Sequence, residues 1–120
     1  MNYSRGSCPI CGRSITIKDA RWSRHLPHEG ARDFCDMSLA RTPVKGDSAI
    51  DYYYRATQIA DLATQVRDYD PAVVWNVLTT IPADELQRLM MLTLAGIDID
   101  RPIHEIWSWV LELPASKVAS

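Results

Sequence analysis

The sequence predicts a mainly α protein, a small bundle of about four helices behind an irregular, turn-rich N-terminal head. Three observations predict it. Residues 48–113 carry apolar side chains at helical spacing, broken only by short turns at Asp70-Pro71, Ile81-Pro82 and Gly96. Residues 1–47 are rich in Arg, Gly, Ser and Pro and contain one short alternating run, Ser14–Lys18. All three cysteines lie in that first stretch, at Cys8, Cys11 and Cys35. The expected division is therefore a head and linker over 1–47 and a helical bundle over 48–120.

Each element has a local reason. In Ser14–Lys18, Ile15 and Ile17 fall on one face of a strand. Residues 41–47 read as a linker. Ser48 with Asp51 three residues on makes a capping pair for a first long helix, in which Ile50, Tyr53, Tyr54, Ile59, Leu62, Ala63 and Val66 recur at helical spacing. Asp70-Pro71 ends it and opens a short second helix to about Thr79, because Asp caps free amides and Pro lacks the N–H that a first turn leaves unsatisfied. Pro82, Asp84 and Glu85 open a third, with acids at the positive end of the helix dipole. Leu86, Leu89, Met90, Thr93, Leu94 and Ile97 form its expected buried stripe, and Gly96 stops it. Asp100-Arg101-Pro102 opens a fourth, with Ile103, Ile106, Trp107, Val110 and Leu111 inward, and Pro114 ends it before a frayed tail. Short loops predict antiparallel packing of neighbouring helices.

Charge and cysteine usage bound the function. The chain of 120 residues has a net charge of −2, but residues 1–47 hold eight basic side chains against five acids and residues 48–120 five against ten. A basic head thus precedes an acidic body. No stretch approaches the apolar length of a membrane helix, and the N-terminus is too polar for a signal peptide. An odd number of cysteines argues against a disulfide framework and for a cytoplasmic protein in which the thiols hold a metal.

The metal reading starts from Cys8-Pro9-Ile10-Cys11-Gly12. Two thiolates two residues apart grip one tetrahedral ion from a tight turn, which Gly12 lets the backbone complete. The remaining ligands come from His25, His28 and Cys35, in the spacing C-x2-C-x13-H-x9-C when His25 is used. Cys8, Cys11, His25 and Cys35 employ every cysteine. A rival set, Cys8, Cys11, His25 and His28, brings the two histidines closer than zinc fingers place them, with Pro27 stiffening the span. A third set exchanges His25 for His28. A redox dithiol wants an α/β setting and an iron–sulfur cluster wants four cysteines, so one Zn2+ is the expected cofactor. Four protein ligands close the site, which makes the ion structural.

These residues resemble a short zinc-binding motif of small proteins from actinobacteria and their phages. That motif runs C-x-x-C-G, a strand-like segment, a central His, then C-x-G-S-G. It is matched here by Cys8–Gly12, Ile15-Thr16-Ile17, Arg24-His25-Leu26-Pro27 and Cys35-Asp36-Met37-Ser38-Leu39. The resemblance implies Cys8, Cys11, His25 and Cys35 as ligands and a phage or actinobacterial source, with no assigned activity. Met37 and Leu39 stand where the motif has glycine, so the loop after Cys35 is expected to differ.

Three function classes are open to such a chain. Nucleic-acid binding would use Lys18, Arg21, Arg24 and Trp22 in the head, basic groups beside an aromatic. Against it stand the modest positive charge and a competing reading in which Trp22 and Phe34 form a small core. A helix-turn-helix over 83–113 fails, because its second helix is apolar and acidic. Protein binding would use aromatics that no single helical stripe can hide, Trp109 beside Trp107 and Tyr52 of the Tyr52–Tyr54 run, as anchors for a partner or a second copy. An enzyme lacks a recognisable phosphate loop, nucleophile elbow or carboxylate pair, and Glu29 near His28 reads as solvated. The expectation is a non-enzymatic binding protein acting on a host protein, with nucleic acid as the alternative partner and homodimerisation open.

Overall fold

The computed structural model describes residues 3–108. Its elements are β1 (Tyr3–Ser7), β2 (Ser14–Lys18), β3 (Arg21–Trp22), α1 (Ala49–Asp68), α2 (Pro71–Leu78), α3 (Ala83–Ala95) and α4 (Ile103–Trp107). The helices share the chain with a three-stranded antiparallel sheet, so the head is a β structure rather than an irregular one. Residues from 109 onward, including the expected end of α4, lie outside the described residues. No helix among the described residues is long and apolar enough to cross a membrane.

Two compact units are present. The first takes the chain up to Pro43 together with Trp75–Ile81, and the second takes Val44–Val74 and the chain from Pro82 onward. The second half of α2 thus belongs to the first unit.

In the first unit β1 pairs with β2 from Tyr3↔Lys18 to Ser7↔Ser14, and β2 pairs with β3 at Ile17↔Trp22 and Lys18↔Arg21. Asp19 and Ala20, at φ 52° and 60°, make the two-residue turn between β2 and β3. Both residues adopt the left-handed conformation that hairpin twist demands. Ile15, Trp22 and Met37 are buried and form a small apolar core with Cys8 and Cys35. Gly6 is needed beside it, since a Cβ there would sit 3.2 Å from Ile17 Cδ1 and 3.3 Å from the Trp22 ring. Val77 of α2 is buried in this unit, and Asn76 Nδ2 donates to Asp36 Oδ2 at 2.8 Å.

In the second unit α1 begins at a complete capping box. The Ser48 hydroxyl accepts from the Asp51 N–H and the Asp51 carboxylate accepts from the Ser48 N–H, as the sequence pair predicts. The interior differs from the predicted stripes. On α1 the buried residues are Arg55 and Gln58, Ile59, Leu62 and Val66 are half-buried, and Ile50, Tyr53 and Tyr54 are exposed. On α3 the buried residues are Glu85 and Leu89, while Met90, Met91 and Leu94 are exposed. The physical reason is one ion pair: Arg55 Nε donates to Glu85 Oε2 at 2.8 Å, which turns those faces together. The packed pair is α1 with α3 rather than two sequence neighbours. Arg55 meets Glu85, and Ala56 and Ile59 share a groove with Leu92 and Ile97. Gly96 caps α3 in right-handed geometry, its N–H returning to Leu92 and Thr93 carbonyls. On α4 Ile106 is half-buried, whereas Ile103 and Trp107 are exposed.

Candidate metal centre

Cys8, Cys11, His25 and Cys35 converge, with their donor atoms all within 4.8 Å of one another. Cys8 leaves the end of β1, and the turn after it is closed by Gly12 N–H donating to Cys8 O at 2.8 Å and Cys8 N–H donating to Arg13 O at 2.9 Å. Gly12 takes φ +78°, the left-handed value the turn requires. His25 and Cys35 lie on the loop beyond β3, joined by Cys35 N–H donating to His25 O at 2.8 Å. His28 is exposed, its Nδ1 on the Glu29 carbonyl, and stands outside the cluster.

The histidine is oriented as a metal ligand needs. Its Nδ1 lies 2.7 Å from the Ser23 carbonyl, so that nitrogen carries the proton and Nε2 keeps its lone pair. Nε2 is buried and makes no hydrogen bond, an orphaned acceptor that a cation among the thiolates would satisfy. The Cys8 and Cys35 sulfurs are 3.8 Å apart. Two sulfurs each about 2.3 Å from one tetrahedral ion sit about 3.8 Å apart, so this spacing fits the site.

The electrostatics of the cluster point the same way. Burial pushes the Cys8 thiol up, but the hydrogen bonds around it, led by the backbone N–H groups of Cys11 and Ile10, together bring its pKa from 9.0 down to about 7. Burial pushes the Cys35 thiol up, and the Cys8 sulfur beside it adds to the rise, to about 11. The cluster accepts one negative charge readily and resists a second, a conflict that a divalent cation removes.

Outer contacts fix the loops. Ser38 Oγ accepts from His25 N–H at 3.1 Å and donates to His25 O at 3.2 Å, and the Ser38 N–H donates to Cys35 O. Arg13 Nη1 donates to Leu26 O at 2.8 Å, tying the cysteine turn to the histidine loop. Leu39, at one of the two positions where the motif has glycine, adopts the left-handed φ of +66°, and Met37, at the other, does not. Sequence reading named neither Ser38 nor Arg13 as a support. The only signal for Ser38 was its place in the Cys-x-x-Ser segment.

The other candidate residues fall into place as follows. Trp22 is buried and Arg21 Nη1 donates to Leu39 O at 3.0 Å, so both hold the head together. Lys18 and Arg24 are exposed, each 5.7 Å from an aromatic ring, Tyr3 and Phe34 respectively. Phe34 is exposed and does not share the core with Trp22. Tyr52 is half-buried, its hydroxyl on Asp47 and its ring 4.7 Å from the Arg55 guanidinium, whereas Tyr53 and Tyr54 face outward. Trp109 lies outside the described residues. Trp75 is 73 % exposed, an outward aromatic outside the expected contact residues.

No curated protein and no solved structure matches the chain. A family of unknown function (DUF7368) matches residues 2–117, the fold, cluster and both units included, and the chain belongs to that family.

Proposed function

We propose that the chain is a non-enzymatic binding protein, with a head held by one structural zinc ion and a helical unit that grips a protein partner. The observation that carries the zinc reading is the closed donor set of Cys8, Cys11, His25 and Cys35, with the His25 Nε2 lone pair left unpaired among three sulfurs. Three thiolates and one imidazole favour zinc over hard cations, and four protein donors leave no corner for an activated water.

Support for a protein partner comes from the second unit. Met90, Met91 and Leu94 are 58 %, 68 % and 54 % exposed on the side of α3 opposite Glu85 and Leu89. Exposed methionines form adaptable contact surfaces, and the acidic charge of residues 48–120 suits a basic partner. The likeness of the head to actinobacterial and phage zinc motifs supports a phage-encoded protein acting in the host cytoplasm.

A second reading rests on the head, where Lys18 and Arg24 lie over the exposed rings of Tyr3 and Phe34. Such cation–aromatic pairs offer bases a place to stack and phosphates a charge. Paired variants decide between the two in captures from an actinobacterial lysate with and without nuclease. Met91→Glu with Leu94→Glu is expected to abolish capture, and Lys18→Glu with Arg24→Glu to leave it intact. The reverse pattern, abolished by nuclease, assigns the head to nucleic acid instead.

A further inference from the structure

We infer that Cys11 is the redox-sensitive corner of the metal centre, where a peroxide oxidises the thiolate, Cys8 resolves it as a disulfide, and the metal is released. The inference rests on the zinc reading above and adds a modification site to it.

The four donors are not equally shielded. Cys8, Cys35 and His25 are 2 %, 4 % and 8 % exposed, whereas Cys11 is only partly buried. Its neighbours Pro9, Ile10, Gly12 and Arg13 are all exposed, and the space where a Gly12 Cβ would point holds no atom within 4 Å. The Cys11 corner is therefore the least shielded of the four, the side from which a peroxide-sized molecule approaches the cluster. Susceptibility of a thiolate to oxidation follows this exposure.

The resolving thiol is equally defined. Cys8 Sγ lies within 4.8 Å of Cys11 Sγ. The turn joining them is closed by its own backbone bonds, from Gly12 N–H to Cys8 O and from Cys8 N–H to Arg13 O. Neither bond needs the metal, so the two thiols stay adjacent when it leaves.

The chemistry balances in two steps. The Cys11 thiolate attacks one oxygen of hydrogen peroxide, an S–O bond forms as the O–O bond breaks, and hydroxide departs, leaving a sulfenic acid. The Cys8 thiolate then attacks the Cys11 sulfur, an S–S bond forms as the S–O bond breaks, and a second hydroxide departs. Two thiolates are oxidised and one peroxide is reduced to two hydroxides, which solvent protonates. Only His25 and Cys35 remain as donors, too few to hold a tetrahedral ion.

The test treats the zinc-loaded full chain with hydrogen peroxide, reading zinc release with a chromogenic chelator and mapping the cysteines by mass spectrometry. One zinc per chain is expected to appear together with a Cys8–Cys11 disulfide, and dithiothreitol with added zinc is expected to restore the site. Cys11→His keeps four donors but places an imidazole at the exposed corner, and is expected to slow release about tenfold or more. As an independent measure on the unsubstituted chain, limited N-ethylmaleimide should label Cys11 first. First labelling at Cys8 or Cys35, or release from zinc-loaded Cys11→His at the unsubstituted rate, overturns the proposal. A chain purified without zinc refutes the metal reading itself, whereas a zinc-loaded chain that survives excess peroxide refutes only this inference.

Discussion

Truncating Glu85 tests whether the interior of the helical unit is organised around a charge. Arg55 is 1 % exposed and Glu85 nearly as buried, and they meet at 2.8 Å. The next carboxylate, Asp47, stands 3.8 Å from Arg55 Nη1 and is itself 61 % exposed. Glu85→Ala leaves the guanidinium buried without its close partner, and breaking a buried pair in this way costs about 3–5 kcal/mol. The Tyr52 ring, 4.7 Å from the guanidinium, offsets part of this, by about 1 kcal/mol for a cation over a phenol. The net expectation is a loss of about 2–4 kcal/mol, which lowers the melting temperature of a unit this size by roughly 10–25 °C. Few apolar side chains are buried among the described residues of this unit, chiefly Val74 and Leu89, so little else absorbs the loss. Arg55→Met with Glu85→Leu removes both charges and keeps the volume, and should fall within about 1 kcal/mol of the original or exceed it. Urea unfolding followed by helical circular dichroism measures both variants. A Glu85→Ala protein within about 0.5 kcal/mol of the original refutes the reasoning, since that is the range of an ordinary surface change.

Other expectations follow from the head. Metal analysis should find one zinc per chain, with Cys35→Ser weakening binding about as much as Cys8→Ser and His28→Ala leaving it unchanged; release by His28→Ala alone would reassign the ligand. Zinc affinity should fall as pH drops below about 11, where protons compete for the Cys35 thiolate, and more steeply below about 7, where they compete for Cys8 as well; titration of zinc binding against pH checks this. Chelation should remove hydrogen-exchange protection from β1, β2 and Trp75–Ile81 while α1 and α3 keep theirs; loss across α3 would show a single cooperative structure. Leu39→Gly should raise the stability of the zinc-loaded head by about 0.5–1 kcal/mol in thermal melts, because relief of a left-handed leucine exceeds the added chain entropy.

The legible parts of this protein are those with local causes. The Ser48–Asp51 cap, the turn at Asp70-Pro71 and the strand Ser14–Lys18 each follow from chemistry within a few residues, and the structure has all three. The grouping of Cys8, Cys11, His25 and Cys35 was readable because metal coordination limits which residue types converge and at what spacing. Helix faces were read less well. Apolar periodicity assigns a greasy stripe inward, but one charge pair, Arg55 with Glu85, outranks Ile50, Tyr53, Tyr54, Met90 and Leu94 for the interior. That pair joins residues thirty positions apart, a separation no local pattern reveals. Strand β1 was missed for the opposite reason: Tyr3–Ser7 has almost no apolar content and owes its form to pairing with β2. The seat of Asn76 on Asp36 is likewise long-range, and with it the membership of Trp75–Ile81 in the first unit.

That membership has a consequence for synthesis. All four donors have been made once Cys35 is translated, whereas Trp75–Ile81 follows only after residues 44–74, which belong to the other unit. Closing a loop of that length costs roughly 3 kcal/mol in chain entropy, so the late segment needs a prepared surface to land on. A metal captured early would supply one, holding Asp36 in position beside Cys35 before Asn76 exists to meet it. A chain made under metal starvation would reach Val77 with its seat unformed, an apolar segment newly released into the cell with nothing to cover it. Availability of the ion during translation, rather than its concentration afterwards, would then set the yield of folded protein.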